Sequence, residues 1–586
     1  MKRIALFIGA TLVAVLTLGS AAVATNLGGA RSAALNILGT EHRNDIIAFT
    51  SGLNQRQYDT ADLAPVPYTG MNPVGVNTFL EQEPDESKRE ETFQMIKDAG
   101  IGWIRQEFPW ADIEEPAKGQ YWDTKYNQST WIKYDNIVQL AQKYDIQIIA
   151  RLDLPPQWAH PENSWPSTPP DNLKDYGDFV YTVVSRYRGK IKYYQLWNEP
   201  NLYTEWGKNP VNAKQYVQLL KVGYEAAKKA DPNCVIISAA LAPTIEQSAH
   251  AMDDRIYLQQ MYDAGAKPYF DIMGVNAYGL RSGPYDRRLN DGDVNFSRPI
   301  LTREIMVKNG DANKPIWASE MGWDSQPKSV TAPPVFGRVS EELQARYTVQ
   351  AFQRAAKEWP WMGVMSIWFF KRVDDHEIQE PFYYFRMVNP DFTPTPLYQA
   401  VKEMTKQPPV LNMGHAWADN WALHYQGNWQ TTSLPNGEVQ MSTSQAGATL
   451  SFKFKGNDLT LVAPEGKDLG SAEVTIDGRA AMVSMLPHDA ASQAVINLRA
   501  SGPSIEKQIP ITSGLLNDVH TVEIKTQGPF AVDGFVVEVH GPTTSWWLVS
   551  SFILVALPIV VGIVLIVVLR QRRARESIAA TRSPLP

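Results

Sequence analysis

Two glutamates follow strand-like runs of the sequence and carry side chains that can act as acids, bases or nucleophiles. Glu199 follows the run 191–197, which is rich in residues that suit a buried strand, and Pro200 then ends that strand. Glu320 follows a second such run, 315–319. A buried strand seldom ends in a charged group unless that group is paired or functional. The alternative is an ordinary polar loop around Pro200. The choice between a functional glutamate and such a loop depends on the surrounding elements.

The elements around these glutamates alternate between strands and helices. Eight strand-like runs separate eight helix-like runs between residues 74 and 405. This alternation predicts parallel βαβ units, and eight units in about 340 residues predict a closed (β/α)₈ barrel, whose domain we place at residues 71–408. A doubly wound open sheet is the alternative, but such a sheet normally has a glycine-rich phosphate turn after its first strand, and the sequence has none there.

Polar side chains stand at the ends of most of the predicted barrel strands. In a (β/α)₈ barrel these ends share one face, where the functional residues gather. The fourth and seventh strands carry the two glutamates, which should face each other across the barrel mouth. Paired carboxylates are what hydrolysis of a glycosidic bond requires, and a separation of about 5–5.5 Å retains the sugar configuration. The predicted strand-end residues are Asn77, Arg105, Asp153, Asn198, Glu199, Asn276, Tyr278, Glu320 and Trp368.

The chain from residue 75 to 405 resembles a retaining glycoside hydrolase of clan A. The resemblance rests on Asn198-Glu199 after the fourth strand and on Glu320 after the seventh. The run 197–202, Trp-Asn-Glu-Pro-Asn-Leu, followed by Trp206, is most similar to family 39, with family 5 close behind. The resemblance implies that Glu199 is the acid/base and that Glu320 is the nucleophile.

The same resemblance implies roles for four supporting residues. Arg105 would hold Glu320 ionised, and Tyr278 would donate a hydrogen bond to it. Asn198 would bind the sugar 2-hydroxyl, and Trp368 would form a platform under the sugar ring. Each has a structural alternative: an ion-pair partner for Arg105, and core packing for Tyr278 and Trp368.

Further candidates lie on the loops and strand ends of the same face. Asn276 stands where many relatives have histidine, which leaves the hydrogen bonding of the acid/base open. Aromatic loop residues suit stacking on sugars, although core packing is an equal alternative for each. A carboxylate at a strand end could contact a sugar subsite. These candidates are Trp158, Tyr203, Trp206 and Trp323 for stacking, and Asp153 for the subsite contact.

Composition narrows the class of protein. The chain has 586 residues, more than one core normally holds, so at least two domains are expected. A net charge of −7 argues against a nucleic-acid partner. Cys234 is the single cysteine, which excludes an intrachain disulfide and predicts an inert core residue. The acidic run 374–377 resembles a metal cluster only superficially, and we expect no metal and no cofactor.

After residue 408 the sequence pattern changes to short alternating strands with turns. This pattern predicts an all-β sandwich over residues 409–541. The runs 425–429, 474–478 and 530–535 resemble a galactose-binding-type jelly roll. Such a module either binds carbohydrate or serves as a spacer, and the sequence leaves both open.

The sequence patterns at both ends of the chain predict contact with a membrane. Residues 1–24 resemble a secretory signal peptide, with an uncleaved anchor as the alternative, and residues 25–70 form an N-terminal arm. Residues 546–569 are continuously apolar and exceed the roughly 20 residues that span a bilayer. The arginines that follow, at 570, 572, 573 and 575, predict a cytoplasmic tail over residues 570–586.

The sequence therefore predicts a membrane-anchored extracellular glycosidase that hydrolyses O-glycosidic bonds of a β-linked oligo- or polysaccharide by double displacement. A non-catalytic glycan-binding protein on a hydrolase scaffold is the first alternative, and a transglycosylase is the second. The predicted partners are the carbohydrate and the membrane.

Overall fold

The structure is a computed structural model that describes residues 57–289, 292–434, 439–502 and 504–540. The predicted signal peptide, most of the N-terminal arm, the predicted membrane span and the predicted tail lie outside these residues. Within the described ranges, no helix combines the length and the apolar character needed to cross a bilayer.

Eight parallel strands form the barrel that the sequence predicts. Hydrogen bonding follows the order β5-β4-β3-β2-β1-β8-β7-β6. Two parallel bridges, Ile237–Ile272 and Leu241–Val275, join β5 to β6 and close the circle. The strands are β1 (Val74–Thr78), β2 (Trp103–Glu107), β3 (Gln147–Leu152), β4 (Tyr193–Leu196), β5 (Val235–Ser238), β6 (Met273–Tyr278), β7 (Ile316–Gly322) and β8 (Met362–Ile367).

A helix of ten or more residues follows each barrel strand, as in the predicted βαβ units. These helices cover the outer face of the sheet, which explains why the strands are apolar on both faces. The helices are α1 (Glu86–Asp98), α2 (Trp131–Lys143), α3 (Leu173–Arg186), α4 (Ala213–Ala230), α5 (Asp254–Asp263), α6 (Pro299–Lys308), α7 (Glu341–Glu358) and α8 (Pro396–Thr405). A single turn, Trp110–Ile113, and a short hairpin, Trp122–Asp123 with Gln128–Ser129, precede α2.

The N-cap of α1 lies two residues before the capping-box motif of the run 87–90, Ser-Lys-Arg-Glu. The sequence suggests a capping box that begins at Ser87, but the N-cap is Asp85, whose carboxylate accepts from the backbone N–H of Ser87 at 2.8 Å. Asp85 is the better cap because its side chain meets the first free N–H groups and its charge opposes the positive helix end.

Aromatic side chains fill the barrel at the N-terminal ends of its strands. The rings of Trp103, Tyr193 and Trp317 contact one another, with centroids 5.0 to 5.2 Å apart. Trp103 and Tyr193 are the first residues of β2 and β4. This apolar plug closes one end of the barrel, so the polar residues of the interior lie towards the opposite end.

The region after the barrel is all-β, as the sequence predicts. Its strands pair antiparallel in sheets with the orders β9-β20-β14-β17, β10-β13-β18-β15-β16 and β11-β12-β19. The larger sheets share one apolar core, which is the packing of a sandwich. The strands are β9 (Gly414–Trp417), β10 (His424–Gln426), β11 (Gln430–Ser433), β12 (Val439–Thr443), β13 (Thr449–Gly456), β14 (Asp458–Glu465), β15 (Ser471–Ile476), β16 (Ala494–Asn497), β17 (Ile505–Thr512), β18 (Asp518–Thr526), β19 (Phe530–Val532) and β20 (Gly534–Glu538).

The segment 57–73 joins the β region to the plugged end of the barrel. The Trp417 indole donates to Val66 O at 3.1 Å, and the backbone N–H of Trp421 donates to Gly70 O at 2.7 Å. On the barrel side, the Trp317 indole donates to Tyr68 O at 2.9 Å. The β region therefore lies opposite the polar strand ends of the barrel.

Candidate active site

Arg105 of β2 is the centre of the polar network at the C-terminal strand ends. Its guanidinium donates to Glu320 Oε1 at 2.9 Å, Asn77 Oδ1 at 2.8 Å, Gln195 Oε1 at 2.7 Å and Asn198 Oδ1 at 2.8 Å. Arg105 is 2% exposed, so its charge depends on these acceptors rather than on water. The four bonds use four of the five guanidinium N–H groups and fix Glu320 and Asn198 on either side of it.

Gln195 and Asn77 fix the arginine in turn. The Gln195 amide donates to Ser319 Oγ at 2.8 Å and to Ser238 O at 3.0 Å, and the Asn77 amide donates to Ser319 O at 2.9 Å. The support role of Gln195 was missed from the sequence. The available signal was a polar residue inside an otherwise apolar strand, which a fully buried position tolerates only when it is hydrogen-bonded.

Glu320 of β7 receives two strong donors. Arg105 binds Oε1, and the Tyr278 hydroxyl donates to Oε2 at 2.7 Å. Burial and the neighbouring Glu320 charge raise the pKa of Tyr278 well above its ordinary value, so its hydroxyl remains a donor. Both oxygens of the Glu320 side chain are therefore held by donors, one of them a cation.

Glu199 lies in a contrasting environment. Its Oε1 accepts from the Asn276 amide at 2.6 Å, and its backbone N–H donates to Ala240 O at 3.0 Å. Burial first, then the charges of Glu320 and Glu205, raise the pKa of Glu199 to about 8. Glu199 therefore holds a proton at neutral pH. Its backbone φ of 38° is unusual for a residue with a side chain and marks a constrained turn.

One strand, β6, contacts both glutamates. Asn276 is the register partner of Glu320 in the sheet, yet its side chain donates to Glu199. Tyr278, two residues later and on the same face, donates to Glu320. The two carboxyl groups are therefore neighbours at the mouth, which agrees with the effect of Glu320 on the pKa of Glu199.

Asp153, predicted as a subsite contact, lies in an ion-pair group beside the glutamates. Arg151 pairs with Asp153 Oδ2 at 2.8 Å and also with Glu107. Asp153 is 3% exposed, and its Oδ1 has no hydrogen-bond partner among the described residues. Contact with a sugar remains a prediction for Asp153.

The structure corrects two of the aromatic candidates. Trp206 is 2% exposed and packs edge-on against Trp197 at 5.6 Å, and Trp323 is fully buried with its indole donating to Ser282 O. Neither has a face that a sugar could reach, so the prediction of stacking was wrong for both. The sequence alone does not distinguish a buried tryptophan from one that stacks on a sugar when both lie on loops at the C-terminal ends of the barrel strands.

The other aromatic candidates keep accessible surface. Trp158 is half-buried, with its indole donating to Glu114 O at 2.9 Å, and Tyr203 contacts the His250 ring with centroids 4.7 Å apart. Trp368 is half-buried and meets Phe79 edge-to-face at 5.5 Å. Stacking on a sugar remains a prediction for these residues.

Comparison with known protein families finds a model that matches part of the barrel. Residues 62–254 match the family model described as Cellulase (glycosyl hydrolase family 5). The match covers the barrel from β1 to the beginning of α5 and includes Arg105, Asn198 and Glu199, whereas Glu320 lies beyond it. The barrel and the two neighbouring glutamates at its strand ends are thus accompanied by a glycoside hydrolase match over residues 62–254, which is the arrangement of a glycosidase.

Solved structures to which the chain is similar at low identity include glycosidases. A family 39 glycoside hydrolase from Bacteroides cellulosilyticus WH2 is 18% identical, with a TM-score of 0.44 over 80% of this chain and 82% of that chain. A monomeric β-xylosidase from Caulobacter crescentus CB15 is 15% identical, with a TM-score of 0.43 over 79% of this chain and 98% of that chain. No curated protein sequence matches the chain.

Proposed function

We propose that the protein is a retaining glycosidase in which Glu320 is the nucleophile and Glu199 is the acid/base. The observation that carries this proposal is the contrast between the two glutamates. Glu320 is bound by a cation and a hydroxyl, whereas Glu199 has its pKa raised to about 8. One carboxylate ready to attack beside one carboxylic acid ready to donate is the pair that glycoside hydrolysis uses.

In the first step, a Glu320 oxygen attacks the anomeric carbon as the glycosidic bond breaks. Glu199 gives its proton to the departing oxygen, so the aglycone leaves as a neutral alcohol. The products of this step are a covalent ester between the sugar and Glu320 and an ionised Glu199. Formation of the ester removes the negative charge of Glu320, so Glu199 then loses its proton more readily.

In the second step, Glu199 acts as a base. It takes a proton from a water molecule, whose oxygen attacks the anomeric carbon and displaces Glu320 as a carboxylate. Two inversions at one carbon restore the original configuration. Glu199 has regained its proton and Glu320 its charge, so the site is ready for another substrate.

The hydrogen-bond network supports the charge changes of both steps. Arg105 and Tyr278 stabilise the charge on Glu320 before attack and after release. Asn198 is held by Arg105 and directly precedes Glu199 in the chain, which suits it for the sugar 2-hydroxyl. Trp368 supplies a half-buried ring for the sugar face.

We further propose a β-linked oligo- or polysaccharide as the substrate and the outer surface of a membrane as the location. The match to a cellulase family model supports the linkage class. The apolar run 546–569, followed by arginines, supports an anchor whose catalytic domain is outside the cell. Carbohydrate binding by the β region would then act on the side of the molecule away from the barrel mouth.

Stereochemistry tests the proposed function. Protein spanning residues 25–545 would be incubated with aryl α- and β-glycosides and with β-linked polysaccharides, and the first-formed anomer followed by ¹H NMR. We expect β-glycosides to release the β-anomer first. Binding without turnover would favour the glycan-binding alternative, glycosyl transfer to added sugars would favour a transglycosylase, and release of the α-anomer would contradict retention.

A further inference from the structure

We propose that Phe385 is a positioning residue for the reaction: its ring packs against Tyr278 and keeps the Tyr278 hydroxyl on Glu320. This inference rests on the proposed function, in which Tyr278 stabilises the charge of the nucleophile. Phe385 lies between β8 and α8 and has no reactive group, so its residue type does not mark it as functional in the sequence. Its role follows from the contacts that surround it.

The backbone of β7 leaves room for the Phe385 ring. Gly322 follows Glu320 by two residues and is the register partner of Tyr278 in β6. Alternate residues of a strand share a face, so position 322 lies on the same face of β7 as Glu320. A Cβ atom at Gly322 would lie 3.1 Å from Phe385 Cδ1 and 3.6 Å from Phe385 Cε1. The Phe385 ring therefore borders the space that a side chain at position 322 would enter.

The Phe385 ring contacts two other aromatic rings in the edge-to-face geometry that such pairs prefer. Its centroid lies 5.6 Å from that of Tyr278, with the ring planes at 70°. Phe336, in the loop after β7, meets Phe385 in the same way at 5.7 Å and 75°. Phe385 is 2% exposed, whereas Tyr278 is half-buried. Phe385 thus connects the packing of the loop after β7 to the donor that binds Glu320.

Hydrogen bonds on both sides fix the backbone at Phe385. Before it, Tyr384 O accepts from the Gln344 amide of α7 at 2.9 Å. After it, the backbone N–H of Met387 donates to Phe370 O at 3.0 Å. Gln344 and Phe370 belong to other segments of the barrel, so the position of the Phe385 ring is set by the barrel and not by its own turn alone.

This packing controls where the Tyr278 hydroxyl lies. The hydroxyl donates to Glu320 Oε2 at 2.7 Å. Because it stands at the far end of the ring, a small rotation about the Cα–Cβ bond of Tyr278 moves it farther than the ring atoms. A leucine at position 385 lacks the ring that contacts Tyr278 and leaves space beside it, which permits such a rotation. The hydrogen bond to Oε2 would then lengthen or bend, and its stabilisation of the Glu320 charge would weaken.

A double-mutant cycle separates positioning from general packing. Phe385→Leu should lower kcat on an aryl β-glycoside by about 10-fold with little change in KM, since the misplaced donor affects the reacting carboxylate. In the Tyr278→Phe background there is no hydroxyl to position, so the same leucine substitution should lower kcat by less than about twofold. Equal losses in the two backgrounds would reduce Phe385 to a structural residue and overturn the proposal.

Phe382→Leu is the matched control. Phe382 is half-buried in the same 3₁₀ turn, Pro381–Phe385, and its ring centroid lies 5.6 Å from the Arg372 guanidinium. This variant removes a ring of the same size and should keep kcat near that of the wild type. Phe385→Met, which retains more of the side-chain volume, repeats the cycle if the leucine variant does not fold.

Crystal structures make the test independent of turnover. In Phe385→Leu we expect the Tyr278 hydroxyl to lie beyond about 3.5 Å from Glu320 Oε2, outside hydrogen-bond distance, whereas Phe382→Leu should keep the bond. An unmoved hydroxyl in Phe385→Leu would overturn the proposal, even if the wild type hydrolyses glycosides with retention. A wild type that hydrolyses no glycoside would refute the proposed function, while the crystal structures would still decide whether Phe385 positions Tyr278.

Discussion

Arg105 and Glu320, which lie on β2 and β7, are joined by a buried ion pair of 2.9 Å. The pair spans the interior of the barrel and is stabilised by the amides that surround the guanidinium. Such a pair is costly to break, because the remaining charge would be buried without a partner. Glu320, the proposed nucleophile, is thus positioned by the barrel interior rather than by a loop.

Replacing Arg105 with lysine should reduce kcat/KM by at least about 100-fold, because a lysine ammonium cannot reproduce the planar array of donors. Lysine keeps the charge but cannot serve Gln195, Asn198 and Glu320 together. Steady-state kinetics on an aryl glycoside measures the loss. Arg188→Lys, on a largely exposed side chain, is the control. Wild-type kinetics in Arg105→Lys would show that charge alone is sufficient.

Tyr278→Phe removes the hydroxyl that binds Glu320 Oε2 and leaves the ring in place. We expect kcat to fall by about 10- to 100-fold, since one preorganised donor to the reacting carboxylate is lost. The free energy of unfolding should change little. Tyr181→Phe, on a 42% exposed ring, controls for the substitution itself. An unchanged kcat would remove Tyr278 from the proposed mechanism.

The stability of the folded protein should depend on pH through the titration of Glu199. Its folded-state pKa of about 8 lies above its ordinary value, so the folded state binds more protons than the unfolded state between these values. Its contribution to stability is therefore fully present below about pH 4.5 and is lost as pH rises through about 8. Glu199→Gln cannot lose this proton, so its Tm should exceed that of the wild type by an amount that grows between pH 5 and pH 9.

Calorimetric scans at several pH values check this prediction, with Glu162→Gln as the exposed control. A Tm difference between wild type and Glu199→Gln that stayed constant from pH 5 to pH 9 would argue that Glu199 is ionised throughout. A difference that grew towards low pH would reverse the sign and contradict the raised pKa directly.

The backbone of β8 at Gly363 lies close to the Trp317 side chain and to the backbone of Tyr68. A Cβ atom there would lie 2.0 Å from Trp317 Nε1 and 2.5 Å from Tyr68 O, the donor and acceptor of one hydrogen bond. We expect Gly363→Ala to lower the free energy of unfolding by about 3 kcal/mol through overpacking. Gly528→Ala, where a Cβ meets nothing within 4 Å, is the control. Equal stability of the two variants in urea titrations would contradict this packing.

The barrel was predictable because its signals are long and periodic. Alternation between strands and helices continues over eight units, and the structure has eight barrel strands, each followed by a helix of ten or more residues. Shorter signals were less reliable. Asp85, rather than Ser87, caps α1, because any early polar residue can meet the first free N–H groups and the sequence does not say which one will.

The candidate site also contains some residues whose contacts the sequence predicted and others that it did not. Arg105 and Tyr278 contact Glu320 as the family resemblance implies, since strand ends fix their places. Gln195 was missed, because its importance depends on side chains that meet across the barrel interior. Trp323 was misjudged because burial of a loop tryptophan follows from packing of distant residues, Phe296 and Tyr347 among them, that sequence spacing does not reveal.

Chemical rescue of the two glutamate variants tests the assignment of Glu320 and Glu199 most directly. With an activated aryl β-glycoside and azide, Glu320→Ala should yield the α-glycosyl azide, because azide attacks from the face that the missing nucleophile occupied. Glu199→Ala should yield the β-glycosyl azide, because azide then replaces the water that attacks the intermediate on Glu320. ¹H NMR of the products distinguishes the two anomers. The account predicts the α-azide from Glu320→Ala and the β-azide from Glu199→Ala; the opposite pairing, or no rescue of either variant, would contradict it.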